Sequence, residues 1–210
     1  MIRILIADDH AIVRSGLKQI LEEKHDMEVV AEHDNGIDAL NWLRANSCDV
    51  ALLDISMPGK SGIDVLKQLH EEKPKLPVLV ISIYPEDQYA VRLIKAGAAG
   101  YLTKESASEV VVEAVRHVAS GKKYISATVA EMLANEFGST DKKLPHETLS
   151  DREYQIFLLL ASAKTATEIA AKLGLSVKTI STYRNRILEK MHLRNNAELM
   201  RYAVDNNLAE

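Results

Sequence analysis

Four apolar runs of this chain end in side chains able to do phosphoryl chemistry. Asp8-Asp9 follow the run 2–7, Asp54 closes 50–54, Ser82 closes 78–82, and Thr103-Lys104 close the run that starts at Gly100. Carboxylates gathered at one point repel one another. A hard divalent cation with oxygen ligands and retained waters, Mg2+, offsets that charge. Lys104 adds a point charge and Ser82 a hydroxyl donor. Such groups around one centre bind a phosphoryl group: the positive charges neutralise its equatorial oxygens while a carboxylate attacks in line. Any one of these polar residues could end a strand merely because it favours a turn. Four ends at once, all on the carboxyl side, favour a site, because ligands of open parallel sheets bind there.

That site exists only if the runs are neighbouring parallel strands. Five short apolar runs, at 2–7, 29–32, 50–54, 78–82 and 100–103, alternate with stretches of helical period. Ile12, Leu17, Ile20 and Leu21 share one helical face, and Ala39, Leu40 and Leu43 another. Ile63, Leu66 and Leu69, then Ala90, Leu93 and Ile94, then Val111, Val112 and Val115 repeat the pattern. Strands alternating with helices predict crossover units and a parallel sheet of five strands and five helices. Residues 4–7 and 50–53 are apolar at consecutive positions, as in central strands covered on both faces.

Asp8-Asp9, Asp54-Ile55-Ser56-Met57-Pro58-Gly59, Ser82 and the run Ala96 to Lys104 resemble the receiver domain of two-component response regulators. The resemblance implies a flavodoxin-like, doubly wound fold over residues 1–120. It implies that Asp54 is the phospho-acceptor, and that Asp9, Asp54 and the backbone carbonyl of Ser56 ligate Mg2+ while Asp8 helps hold it through water. Ser82 and Lys104 would grip the phosphoryl oxygens, and Tyr101 would move inward when Ser82 is drawn toward them. Many receivers follow the lysine with proline; Glu105 stands there here, so a cis bond is not expected. The chain has neither G-x-x-x-x-G-K-[ST] nor G-x-G-x-x-G. His10, His25, His33 and His70 read as surface or packing residues, and Trp42 and Cys48 as core or near-core.

The alternation stops at Gly121. Residues 121–145 read as a linker with one helix, Ser126 to Phe137, capped by Ser126. A flexible connector follows at 138–143. The last domain is expected at 146–210, and from Ser150 onward its pattern is helical throughout. Ser150 and Glu153 have capping-box spacing. Helices are expected at 167–173, 177–191 and 195–206, with Gly174 in the left-handed position that ends the first of these. Helix, three-residue turn and helix make a helix-turn-helix, whose second helix enters the major groove. On that helix Ile180, Ile187 and Met191 project toward a core, with Leu188 at the margin. Lys178, Thr182, Asn185 and Glu189 lie opposite, flanked by Ser181 and Arg186, a face suited to base edges and phosphates. The candidate DNA contacts are Lys178, Ser181, Thr182, Arg184, Asn185 and Arg186.

Leu149 to Glu153, Glu168-Ile169-Ala170, Leu173 to Ile180 and Leu193-Arg194-Asn195 resemble the LuxR-type four-helix DNA-binding domain. With the receiver, they make the chain similar to NarL/FixJ-type response regulators. Thr182 to Arg186 departs from the commoner form of that helix and resembles the GacA/UvrY-like branch. Ala163 and Ala166 replace the family's usual Gly and Asn.

The charge distribution agrees. The chain has 210 residues and a net charge of −4. Residues 1–124 hold 15 Lys and Arg against 19 Asp and Glu, whereas 178–201 hold six basic residues against Glu189 and Glu198. No apolar run approaches the ~18 residues that span a bilayer. The chain starts on a strand-like run, so secretion is not expected. The lone Cys48 forms no internal disulfide, and the cytoplasm is the expected compartment. The function expected is that of a DNA-binding response regulator: a sensor histidine kinase phosphorylates Asp54, which switches double-stranded DNA binding, as a homodimer, and transcription. It is not expected to be a dedicated enzyme or to bind a membrane. The rivals are a phosphoaspartyl hydrolase with an adaptor bundle, and a receiver whose helical domain binds protein or RNA.

Overall fold

The computed structural model describes residues 1–138 and 144–208. The connector expected at 138–143 lies outside the described residues except for Gly138, as do residues 209–210. The chain forms two compact units, Met1–Gly138 and Ser139–Glu210.

The first unit alternates strand and helix: β1 (Ile2–Ala7), α1 (Ala11–Glu22), β2 (Met27–His33), α2 (Gly36–Ala45), β3 (Val50–Asp54), α3 (Gly62–Glu72), β4 (Val78–Ser82), α4 (Glu86–Lys95), β5 (Gly100–Thr103) and α5 (Ser108–Ala119). All strands pair in parallel, in the order β2-β1-β3-β4-β5. Ile4 to Ala7 and the whole of β3 are buried, each large apolar side chain contributing about 1.5–3 kcal/mol of burial. β2 is longer than its apolar run suggests, because an edge strand interleaves exposed Glu28 and Glu32 among its apolar residues. From β1 the chain goes to β2 on one side and then to β3 on the other. The crevice at the carboxyl ends of β1 and β3 is therefore the switch point of the sheet.

Local signals set the helix starts. Asn35 accepts from the Asp38 amide and Ser61 from the Asp64 amide, each satisfying a free N–H of the first turn. Gly62 opens α3 directly against the end of β3, where a Cβ would lie 1.9 Å from the Asp54 carbonyl oxygen. A further helix, α6 (Ala127–Gly138), belongs to this first unit and packs against α4. Ahead of it, the Tyr124 amide donates to the Ala99 carbonyl at 2.8 Å, tying the segment to the β5 edge of the sheet.

The second unit has a short 3-10 turn at Pro145–Thr148, then α7 (Asp151–Ala161), α8 (Ala166–Leu173), α9 (Val177–Lys190) and α10 (Asn196–Asp205). Reciprocal capping boxes start α7, through Ser150 and Glu153, and α8, through Thr165 and Glu168. Gly174 ends α8 at φ 63°, the left-handed conformation that glycine adopts without a Cβ clash. Phe157, Ile169, Leu173, Ile180, Ile187 and Leu199 form its core, each at most 1 % exposed.

Candidate functional site

The parallel register brings the polar strand ends together. Ala7 pairs with Leu53, Asp54 with Ile81, and Ser82 with Thr103, so Asp8, Asp54, Ser82 and Lys104 emerge at one edge. Asp8, Asp54 and Ser82 are buried, and Asp9 is half-buried. The Lys104 ammonium lies 2.7 Å from Asp8 Oδ2 and 3.1 Å from Asp54 Oδ2. Its amide donates to the Ser82 carbonyl at 2.7 Å, which fixes the lysine to β4. Arg14 of α1 donates to the Asp8 carbonyl at 2.6 Å. Ser56 is buried in the loop between β3 and α3.

Charge in this pocket is unbalanced. Three carboxylates face one ammonium. Burial pushes the Asp54 carboxyl up to about 6; Lys104 works against that shift, and Asp8 and Asp9 add to it. The buried Oδ2 atoms of Asp8 and Asp54 share the one Lys104 ammonium between them. Donor atoms of Asp8, Asp9, His10 and Asp54 all lie within 4.8 Å of one another. A donor set of carboxylate oxygens with excess negative charge fits a hard divalent cation.

Ser82 accepts from the Tyr84 amide at 3.2 Å through its hydroxyl. Tyr101, expected to be the mobile aromatic, is only 3 % exposed, and its hydroxyl donates to the Tyr84 carbonyl at 2.7 Å. Burial raises the Tyr101 phenol well above its usual range, against a hydrogen bond from Ser82 that lowers it. His10 is exposed, as the sequence reading expected, and it borders the pocket: its amide donates to Asp8 Oδ1 at 2.8 Å, and its ring Nδ1 lies 2.7 Å from Asp9 Oδ1. Its place immediately after Asp8-Asp9 was the available signal. Helical period does not report on it, because it precedes the first residue of α1.

In the second unit, the buried stripe of α9 is Ile180, Ile187 and Leu188, with Met191 just beyond. Lys178, Ser181, Thr182, Asn185 and Arg186 are exposed. The Ser181 and Thr182 hydroxyls donate to the carbonyls of Val177 and Lys178, both at 3.0 Å, which leaves their oxygens free to accept. Arg184 is half-buried and its Nε donates to Asn196 Oδ1 of α10 at 2.6 Å. That contact crosses to another helix, so the sequence of α9 does not show it. Lys190 pairs with the buried Glu153 of α7 at 2.6 Å. Burial works to raise the Glu153 carboxyl, but Lys190 and the cap bonds of Ser150 outweigh it and hold the carboxyl below its usual value.

Comparison with known proteins decides the family. Residues 4–116 match the response regulator receiver domain, and residues 147–203 match the bacterial regulatory proteins of the luxR family. The chain belongs to the two-component response regulators. It is 38 % identical over 211 residues to the response regulator GacA of Pseudomonas aeruginosa, covering 100 % of this chain and 99 % of that one. It is 35 % identical over 209 residues to the response regulator UvrY of Escherichia coli K12, covering 99 % and 96 %. Among solved structures, RcsB of Salmonella enterica serovar Typhimurium bound to the promoter rprA superposes with a TM-score of 0.65 at 26 % identity, over 96 % of this chain and 97 % of that one. This response regulator thus joins a receiver domain to a LuxR-type DNA-binding domain, in the GacA/UvrY branch. It is a transcription regulator rather than a dedicated enzyme, and no helix among its described residues is long and apolar enough to cross a membrane.

Proposed function

We propose that a sensor histidine kinase phosphorylates this regulator on Asp54 in the cytoplasm, and that phosphorylation favours a homodimer that binds promoter DNA. The domains are then the receiver at 1–120, a linker with one helix at 121–145 and the DNA-binding domain at 146–210. The observation that carries the reading is the buried Asp54 carboxylate, which shares the Lys104 ammonium with Asp8 at the switch point of the sheet.

Asp54 attacks phosphorus in line. The bond from its carboxylate oxygen to phosphorus forms as the bond from phosphorus to the donor's nitrogen or oxygen breaks, and the leaving group keeps the electron pair. Lys104 neutralises charge on the equatorial oxygens, and the Ser82 hydroxyl donates to one of them. Asp9, Asp54 and the Ser56 carbonyl would hold Mg2+ directly and Asp8 through water; the cation supplies further charge neutralisation. An Asp54 held up to about 6 is ionised at neutral pH and so remains a nucleophile. In the second domain Lys178, Ser181, Thr182, Arg184, Asn185 and Arg186 would contact DNA.

The test is labelling by acetyl phosphate with Mg2+. Wild type should be labelled at Asp54, and Asp54→Asn should not be. Asp9→Ala should weaken Mg2+ binding more than Asp8→Ala, because Asp9 would touch the cation directly and Asp8 only through water. Labelling of Asp54→Asn at an unchanged rate would overturn the assignment.

A further inference from the structure

Helix α4 starts without a side-chain cap. Pro85 stands at the capping position and has no oxygen to offer the amides of the first turn. The residue before it, Tyr84, is held by its backbone to the strand ends. Its amide donates to the Ser82 hydroxyl at 3.2 Å, and its carbonyl accepts from the Tyr101 hydroxyl at 2.7 Å. Ile83, between Ser82 and Tyr84, is 52 % exposed, so little packing opposes a shift of residues 83–85. The Tyr84 ring lies on that of Tyr89 in α4, with centroids 4.9 Å apart. A shift of Tyr84 is therefore passed to α4.

Two residues beyond Tyr84, Glu86 holds the start of α6. Its Oε2 accepts from the Ser126 hydroxyl at 2.6 Å, a bond of the strong, charge-assisted kind. The Ser126 oxygen in turn accepts from the Val129 amide at 3.2 Å, and the Val129 side chain is buried. The cap of α6 thus depends on where the first turn of α4 stands. The chain just before it does not: the Tyr124 amide donates to the Ala99 carbonyl at 2.8 Å, at the β5 edge. Movement of α4 can release the start of α6 without loosening Tyr124.

We propose that the series Ser82, Tyr84, Glu86 and Ser126 couples the phosphoryl state of Asp54 to the linker helix α6: filling the Asp54 site loosens the start of α6, and docking of α6 opposes filling. The proposal rests on reading Asp54 as the acceptor. A Ser82 hydroxyl that turns to donate to a phosphoryl oxygen moves away from the Tyr84 amide. The amide then lacks its acceptor, which favours a shift of 83–85 and of Glu86 behind them. Coupling between two sites is reciprocal, so breaking the bond between Glu86 and Ser126 makes the Asp54 site easier to fill.

Beryllofluoride, a phosphoryl mimic, is titrated with Mg2+ into the full chain. Fluorine-19 resonances of the bound ion report its affinity, and amide hydrogen exchange reports its effect. Wild type, Ser126→Ala, Glu86→Gln, Ser82→Ala and Asp54→Asn are compared. In wild type, saturation should raise exchange in the first turns of α6 by about fivefold or more and leave the Tyr124 amide within about twofold. In Ser126→Ala, where that exchange is already fast, beryllofluoride should add less than about twofold, and its affinity should rise by about threefold or more. Glu86→Gln should fall between the two. Ser82→Ala at saturation should leave α6 exchange within about twofold, because the first link is gone. Two results each overturn the proposal: unchanged α6 exchange in wild type carrying bound beryllofluoride, and wild-type affinity for it in both Ser126→Ala and Glu86→Gln. Bound resonances that persist in Asp54→Asn would instead overturn the reading of Asp54 as acceptor, whatever α6 does.

Discussion

The hydroxyl of Ser126 donates to Glu86 Oε2 at 2.6 Å, while the same oxygen accepts from the Val129 amide at 3.2 Å. One side chain therefore caps α6 and ties it to the first turn of α4. Ser126→Ala removes both bonds, and a lost cap alone costs about 1 kcal/mol. Amide hydrogen exchange in the first turns of α6 should accelerate by about fivefold or more in the full chain, with α1 unchanged. Glu86→Gln keeps an acceptor and should have a smaller effect. Unchanged exchange in Ser126→Ala would show that α6 is held by its apolar face alone.

Asp54 gives the cation-free protein a defined pH dependence. Its folded pKa is raised from 3.8 to about 6, so between these values the folded state holds more protons than the unfolded one. Stability therefore falls as pH rises from about 4 through 6, and is flat above. Asp54→Asn removes that penalty. In chelator it should stabilise the receiver by up to ~3 kcal/mol at pH 8 and hardly at all at pH 4. Thermal unfolding at the two pH values measures the difference; an equal effect at both would contradict the burial argument.

Ala163 stands at φ 58° just after α7, where the family usually has Gly. A left-handed alanine costs about 1–2 kcal/mol, part of which a glycine returns as unfolded-chain entropy. Ala163→Gly should stabilise the second domain by roughly 0.5–1 kcal/mol. Gly174→Ala, at φ 63°, should destabilise it by a similar amount. Denaturant midpoints of the second transition read both, and a loss of stability in Ala163→Gly would refute the strain argument.

The exposed face of α9 separates two kinds of DNA contact. Arg186 lies on its flank, so Arg186→Ala should weaken specific and random duplexes alike and reduce the salt slope. Asn185 and Thr182 lie near its middle. Their alanine variants should lose about 1–3 kcal/mol on the preferred site and little on random DNA. Binding isotherms on both duplexes at two salt concentrations make the distinction, and three unaltered isotherms would remove α9 as the reading helix.

The chain's own order of residues determined much of this protein. Strand and helix alternation, the polar ends at Asp8-Asp9, Asp54, Ser82 and Lys104, the cap at Ser126 and the left-handed Gly174 all follow from neighbours a few positions apart. Periodicity and capping are local, so they survive without knowledge of the fold. The two sides of α9 are legible for the same reason: one helix has one projection. Tertiary structure alone decided the rest. Tyr101 is buried with its hydroxyl on the Tyr84 carbonyl, Arg184 is bound to Asn196 of the next helix, and α6 is joined to α4 through Glu86. His10 shares its pocket with Lys104, 94 positions away. These contacts pair side chains distant in sequence, and their geometry depends on which strands the sheet sets side by side and which way each side chain then turns, neither of which a local pattern encodes.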